Sequence, residues 1–172
     1  MNTLTSSLEF SHFPVMLSEI IQIASPEKGG LFIDCTFGGG SYSNALLKFP
    51  KTKVIAIDRD EAVISRANEL QKKYQKRFKF YQIKFSELDK ILNKNADTII
   101  FDLGLSSIQL KNLNRGFSFK SKNKLDMAMG LNNISAQEAI NNLSEKHLKL
   151  IIKILGEETE ASNIAKNIIK AR

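Results

Sequence analysis

Residues 31–43 read LFIDCTFGGGSYS: an apolar run, Leu31-Phe32-Ile33, that ends on Asp34 and leads to three consecutive glycines, Gly38, Gly39 and Gly40. An apolar run of this length followed by glycines predicts a buried strand feeding a tight loop, with a helix from Ser41 to Leu47 behind it. Outward from there the pattern repeats. KVIAID (53–58), FKFYQI (78–83) and DTIIFD (97–102) are further apolar strands. The segments between them, EAVISRANELQKKYQ behind an Asp60 N-cap and FSELDKIL (85–92), read as helices, as does PVMLSEIIQIAS (14–25), with Pro14 in its first turn. Strands that alternate with helices predict a parallel, doubly wound α/β sheet. Strands so rich in Ile, Val and Phe predict helices on both of its faces. Ligands of such sheets bind off the carboxyl ends of the strands. Here those ends are Asp34, Asp58, the Ile83–Phe85 segment and Asp102.

After Asp102 the alternation stops. Residues 103–130 show little periodicity. Ser135-Ala-Gln-Glu138 then has the form of a capping box. Ser144 opens a helix that Gly156 stops, and a third amphipathic helix runs to Arg172. The expected division is therefore an α/β part, 1–110, and a helical part, 111–172.

The 172 residues are 42% hydrophobic and 25% charged, a globular balance. No apolar run approaches the ~18 residues of a membrane span. The N-terminus lacks the basic start and apolar core of a signal peptide, so a cytoplasmic home is expected. The single cysteine, Cys35, excludes an internal disulfide and a cysteine-based zinc site; packing is its expected role. His12 and His147 have no partner at metal-ligand spacing, so no metal is expected, and no Ser/His/Asp set is apparent. The net charge of +7 is uneven: residues 1–103 carry 14 basic and 12 acidic side chains, residues 104–172 carry 11 and 6. The second part is the better candidate for meeting a polyanion.

Three constellations carry chemistry. The glycines allow close backbone approach to a ligand, but G38-x-G40-x-x-S43 lacks the third glycine of the dinucleotide fingerprint. Asp58 lies 18 residues beyond Gly40, where a carboxylate can hold the ribose hydroxyls of an adenosine cofactor: NAD, FAD or S-adenosylmethionine. Asp102, in FDLGLSS, sits across the expected crevice, with Ser106, Ser107 and Gln109 as short polar neighbours. Further on, Lys111, Arg115, Lys120, Lys122 and Lys124 place five positive charges in 14 residues, with Phe117 and Phe119 interleaved. Such cations neutralise phosphates, and exposed aromatics stack on unpaired bases. Phenylalanines in such a loop more often dock on a core, which is the expectation here.

In order along the chain, HFPVMLSE, FIDCTFGGGSYS, AIDRD, FDLGLSSIQL, NRGFSF, LDMAM and GEETEA resemble the bacterial ribosomal RNA small subunit methyltransferase H (MraW) family, from about His12 to Arg172. The resemblance implies a class I S-adenosylmethionine-dependent, Rossmann-like sheet and an inserted helical domain for RNA recognition. It implies methylation of N4 of a cytidine, position 1402 in the usual rRNA numbering, of 16S rRNA in the small ribosomal subunit. It implies cofactor contacts from Gly40, Ser41, Tyr42, Asp58, Phe85, Asp102 and Gln109. Asp58 would hold the ribose, Phe85 would lie beside the adenine, and Asp102 and Gln109 would face the methionine end. Asp102, with Ser106 and Ser107 as helpers, is the expected catalytic group.

The chain departs from that family in three places. Ser41 stands where a second glycine is usual, which is tolerable if its φ permits. LDMAMG (125–130) replaces LDMRMD, removing one cation and one anion. Members are nearly twice this length and continue with HPATR-type and SFHSLEDR-like segments, so both the sheet and the helical domain are expected to be incomplete here. Two other readings compete. One is an NAD-binding oxidoreductase domain on the same sheet. The other is a catalytically silent fragment that binds RNA or cofactor.

Overall fold

The computed structural model describes residues 15–93, 95–122, 124–131 and 134–172; His12 and Pro14 lie outside them. Strands β1 (Gly30–Asp34), β2 (Thr52–Asp58), β3 (Phe78–Gln82) and β4 (Thr98–Ile100) form one parallel sheet, in the order β3-β2-β1-β4. Asp34 pairs in register with Ala56 on one side and with Ile100 on the other. The strand order reverses between β1 and β4, which opens the crevice used by ligands of doubly wound sheets.

Alternation along β1 sends Phe32 to one face and Ile33 to the other, both fully buried. The Phe32 face carries the main core. Helices α1 (Leu17–Ala24), α2 (Ser41–Leu47) and α3 (Ile64–Tyr74) cover it through Ile20, Leu46, Leu47, Ala67 and Leu70. Leu46 is completely buried, and Leu46→Ala there costs about 2–5 kcal/mol. The Asp60 carboxylate caps a 3₁₀ turn, Glu61–Val63, by accepting from the Ala62 N–H at 3.1 Å, and α3 continues from it.

The Ile33 face is thinner than the expected helical layer. Its cover is a kinked 3₁₀ segment, Phe85–Lys90, with Leu88, Ile91 and Leu92 packed on it, in place of the helix expected over 85–92. Ile99 on this face stays 44% exposed and Phe101 49%. β4 ends at Ile100 rather than Asp102. β1 has by then turned away, so the Asp102 N–H finds the Thr36 hydroxyl oxygen at 2.8 Å instead of a ladder partner.

The chain divides into two compact units, one ending at Ile108 and one comprising Gln109–Arg172. The second contains α5 (Ala136–Asn142), α6 (Glu145–Leu155) and α7 (Ala161–Ala171), and α4 (Ser107–Lys111) straddles the boundary. The capping box at Ser135 forms, with its hydroxyl accepting from the Glu138 N–H and Glu138 accepting from the Ser135 N–H. Ser144 caps α6 through its hydroxyl alone, which accepts from the His147 N–H, and Gly156 ends the helix. α6 and α7 pack together, with Leu148, Ala161 and Ala165 buried. Arg172 closes the end of α5, donating to the Ile140 and Leu143 carbonyls.

Candidate functional site

Past β1 the chain is stitched to both neighbouring strands. The Cys35 N–H donates to Ile100 O at 2.9 Å and the Phe37 N–H to Ile57 O at 3.1 Å. The Phe37 ring enters the core beside Phe78 and Phe80, with centroids 5.9 and 5.4 Å away. The glycines have distinct roles in the turn beyond it. Gly40 has φ +75°, its N–H donates to Phe37 O at 2.7 Å, and a Cβ on it would lie 2.7 Å from the Phe37 ring. Gly38 has φ +49°, and its N–H donates to Asp58 Oδ2 at 2.9 Å. Gly39 has nothing within 4 Å of where its Cβ would be. Shaping of the turn therefore falls to Gly38 and Gly40, and open space to Gly39. Ser41 begins α2 and is not among the residues with positive φ, so serine there costs no backbone strain.

The strand-end carboxylates are in unlike environments. Asp34 is fully buried and accepts from the Ser43 hydroxyl at 2.6 Å and the Thr36 N–H at 3.3 Å. Burial pushes its carboxyl up to about 6, against the pull of those bonds. It braces the loop rather than lining an open edge. Asp58 is half-buried, and burial again raises its pKa. Oδ2 accepts from Gly38 and Oδ1 from the Asp60 N–H at 2.9 Å. An ionised carboxylate has about four acceptor positions, so capacity remains for a ligand's hydroxyls. Asp102 is exposed.

Of the other expected residues, Phe85 is 46% exposed and makes an edge-to-face pair with Phe101, centroids 5.6 Å apart. Tyr42 is buried, and its hydroxyl donates to the Val15 carbonyl, so only its main chain is available to a ligand. Ser106 is half-buried, with its Cβ 3.9 Å from a Cβ built on Gly38. Ser107 opens α4 and Gln109 is buried on it. Thr36 and Phe101 were missed by sequence reasoning. Thr36 ties the β1 loop to Asp102, and Phe101 supplies the second exposed ring. The alternation of β4 around Ile100 was the available signal for Phe101; for Thr36 there was none. Cys35 is buried, and burial pushes its thiol up to about 11, which suits packing rather than attack.

In the second unit Lys111, Lys120, Lys122 and Lys124 are exposed. Arg115 is half-buried, lies over the Phe117 ring at 5.3 Å and donates to Ala128 O at 2.5 Å. Phe119 does not dock on a core, because it is fully exposed. An open polar recess of about 450 Å³ is lined by Lys124, Asp126, Gln137, Glu138 and asparagines of α5. Among the described residues no cluster of His, Cys, Asp and Glu could hold a metal, and no helix is long and apolar enough to cross a membrane.

Residues 9–172 match the model of the MraW methylase family. The chain is 44% identical over 163 residues to the ribosomal RNA small subunit methyltransferase H of Rickettsia massiliae, covering 94% of this chain and 53% of that protein. To the protein of the same name from Orientia tsutsugamushi (strain Boryong) it is 44% identical, covering 94% and 52%. The chain thus spans about half the length of the curated relatives it matches. A solved structure from Clostridium thermocellum aligns over 56% of this chain and 54% of its own, at 16% identity and a TM-score of 0.48.

Proposed function

The chain belongs to the MraW methylase family, and on that premise we propose that it forms the S-adenosylmethionine-binding part of an enzyme that methylates N4 of a cytidine in 16S rRNA. The observation that carries this is the Asp58–Gly38 hydrogen bond. It sets a carboxylate acceptor at the end of β2 against the glycine loop that follows β1, one strand from where the strand order reverses. The residues fit such a cofactor. Asp58 has acceptor capacity for two ribose hydroxyls, Gly39 leaves room for close approach, and Phe85 with Phe101 offers apolar ring surface to adenine. Gly40, Ser41 and Tyr42 contribute main-chain groups, and Asp102 and Gln109 hold the methionine end. S-adenosylmethionine, when bound, supplies an electrophilic methyl group.

The cytosine N4 amine is a weak nucleophile because its lone pair is delocalised into the ring. The chain's contribution is to place it in line, which can supply ~7–11 kcal/mol. An exposed carboxylate at Asp102 accepts an N4 hydrogen and holds density on nitrogen, and Ser106 and Ser107 fix the orientation. The base must first be splayed out of its stack. The second unit serves the RNA. Its exposed lysines, Lys111, Lys120, Lys122 and Lys124, meet phosphates, and Phe119 offers a stacking face.

The test is methyl transfer to small ribosomal subunits with labelled S-adenosylmethionine. Asp102→Ala is expected to lower transfer by about 10²-fold or more. Unchanged transfer and unchanged cofactor affinity would remove Asp102 from the site. Cofactor binding without transfer by the 172-residue chain would leave it as a binding portion only.

A further inference from the structure

Two sequence segments in the second unit, NRGFSF (114–119) and LDMAMG (125–130), are locked to each other by three contacts. The Arg115 guanidinium donates to Ala128 O at 2.5 Å while lying 5.3 Å over the Phe117 ring. The Met127 N–H returns to Arg115 O at 2.8 Å, and Met127 takes φ +52°. Gly116, at φ +75°, lets the two backbones touch: a Cβ there would lie 3.0 Å from Lys124 O and 3.1 Å from Asp126 N. The far side of the second segment is fixed as well. The Ala136 N–H donates to Asp126 O and the Gln137 N–H to Leu125 O, each at 2.8 Å. With Ser135 capping Glu138, the first-turn donors of α5 are all satisfied within the chain.

From this geometry we infer that Arg115 is a positioning residue, the pin of a clasp that shapes residues 124–131 and 134–137, and not one of the cations that meet phosphate. A flat guanidinium can stack on a ring and donate in its own plane at once; an ammonium has no planar face to stack and does not reproduce that geometry. The clasp also accounts for LDMAMG. Leu125, Asp126 and Ala128 act through their carbonyls, so exchange of the side chains at 128 and 130 leaves the contacts in place. The lysines at 120, 122 and 124 remain exposed around it. The consequence for RNA rests on the proposed function; the clasp itself does not.

The test compares Arg115→Lys, Arg115→Ala and Phe117→Leu in the whole chain. Amide exchange is read at Met127, Ala136 and Gln137, and binding of an oligocytidylate RNA is read across a salt series. Both Arg115 variants are expected to speed exchange at those amides by about tenfold, with β1 and β2 amides unchanged. Phe117→Leu, which removes no charge, is expected to speed it by about threefold. RNA affinity should fall equally in the two Arg115 variants. The inference is overturned if exchange at the three amides is unchanged. It is also overturned if Arg115→Lys behaves as the parent chain while Arg115→Ala loses about 0.7 from the salt slope, the mark of a lost phosphate contact on a single strand. Expected exchange with no RNA binding by the parent chain would uphold the clasp and refute the RNA reading.

Discussion

The two sides of the crevice are built differently. On the β1–β2 side, Asp34 and Asp58 are drawn inward and spent on the loop, holding Ser43, Thr36, Gly38 and Asp60. On the β4 side the strand is three residues long, its central Ile99 and the following Phe101 are half-exposed, and Asp102 faces water, held through its main chain by Thr36. The three acids look alike in sequence, each at the end of an apolar run. The path of the chain beyond each acid separates them. After Asp34 and Asp58 the chain folds back over the carboxylate, and after Asp102 it does not. One side is preformed by burial, and the other presents exposed side chains to solvent.

The largest effect should come from Asp34. Its folded pKa of about 6 stands above the unfolded value of 3.8, so the native chain holds a proton that the unfolded chain has released. Stability from this group is therefore complete below pH ~4 and falls by about 3 kcal/mol as pH rises through 6. Asp34→Asn should abolish that fall, as measured by denaturant unfolding from pH 4 to 7. Equal pH profiles for the two proteins would erase the contrast.

Next comes Gly40→Ala. The φ of +75° and the Phe37 ring 2.7 Å away predict a loss of about 2 kcal/mol, whereas Gly39→Ala should stay within about 0.5 kcal/mol. Thermal unfolding of the pair gives the comparison directly. Thr36→Val, which removes the acceptor of the Asp102 N–H, should cost about 1 kcal/mol and loosen the β4 loop in amide exchange. The smallest effect on stability belongs to Asp102→Asn, within about 0.5 kcal/mol, because the side chain is exposed. A destabilisation of Asp102→Asn equal to that of Gly40→Ala would mean that both sides are structural.

Much of the fold was legible in the sequence. The four strands, the Asp60, Ser135 and Ser144 caps and the Gly156 stop arise from local patterns, and each forms. The helix expected over 85–92 was not legible. Leu88, Ile91 and Leu92 satisfy helical spacing, yet the segment must lie flat on the Ile33 face and becomes 3₁₀ with a kink at Glu87. The fates of the carboxylates were hidden for a related reason, since burial of Asp34 depends on Ser43, nine residues on and across the loop. Phe119 misled, because an apolar residue expected to dock on a core stayed in water. Arg115, a cation in a basic run, turns to a carbonyl and a ring, contacts that the run of charges did not signal.

If the loop between Asp58 and Gly38 receives the adenosine end of S-adenosylmethionine, the Asp58 carboxylate must contribute to its affinity. Calorimetric titration of S-adenosylmethionine, and of NAD as the rival, into the chain and its Asp58→Ala variant measures that contribution. Binding of S-adenosylmethionine in preference to NAD is expected, weakened about tenfold or more by Asp58→Ala, as for loss of hydrogen bonds to a charged acceptor. Tighter binding of NAD, or S-adenosylmethionine binding that Asp58→Ala leaves unchanged, would rule out this role for the loop.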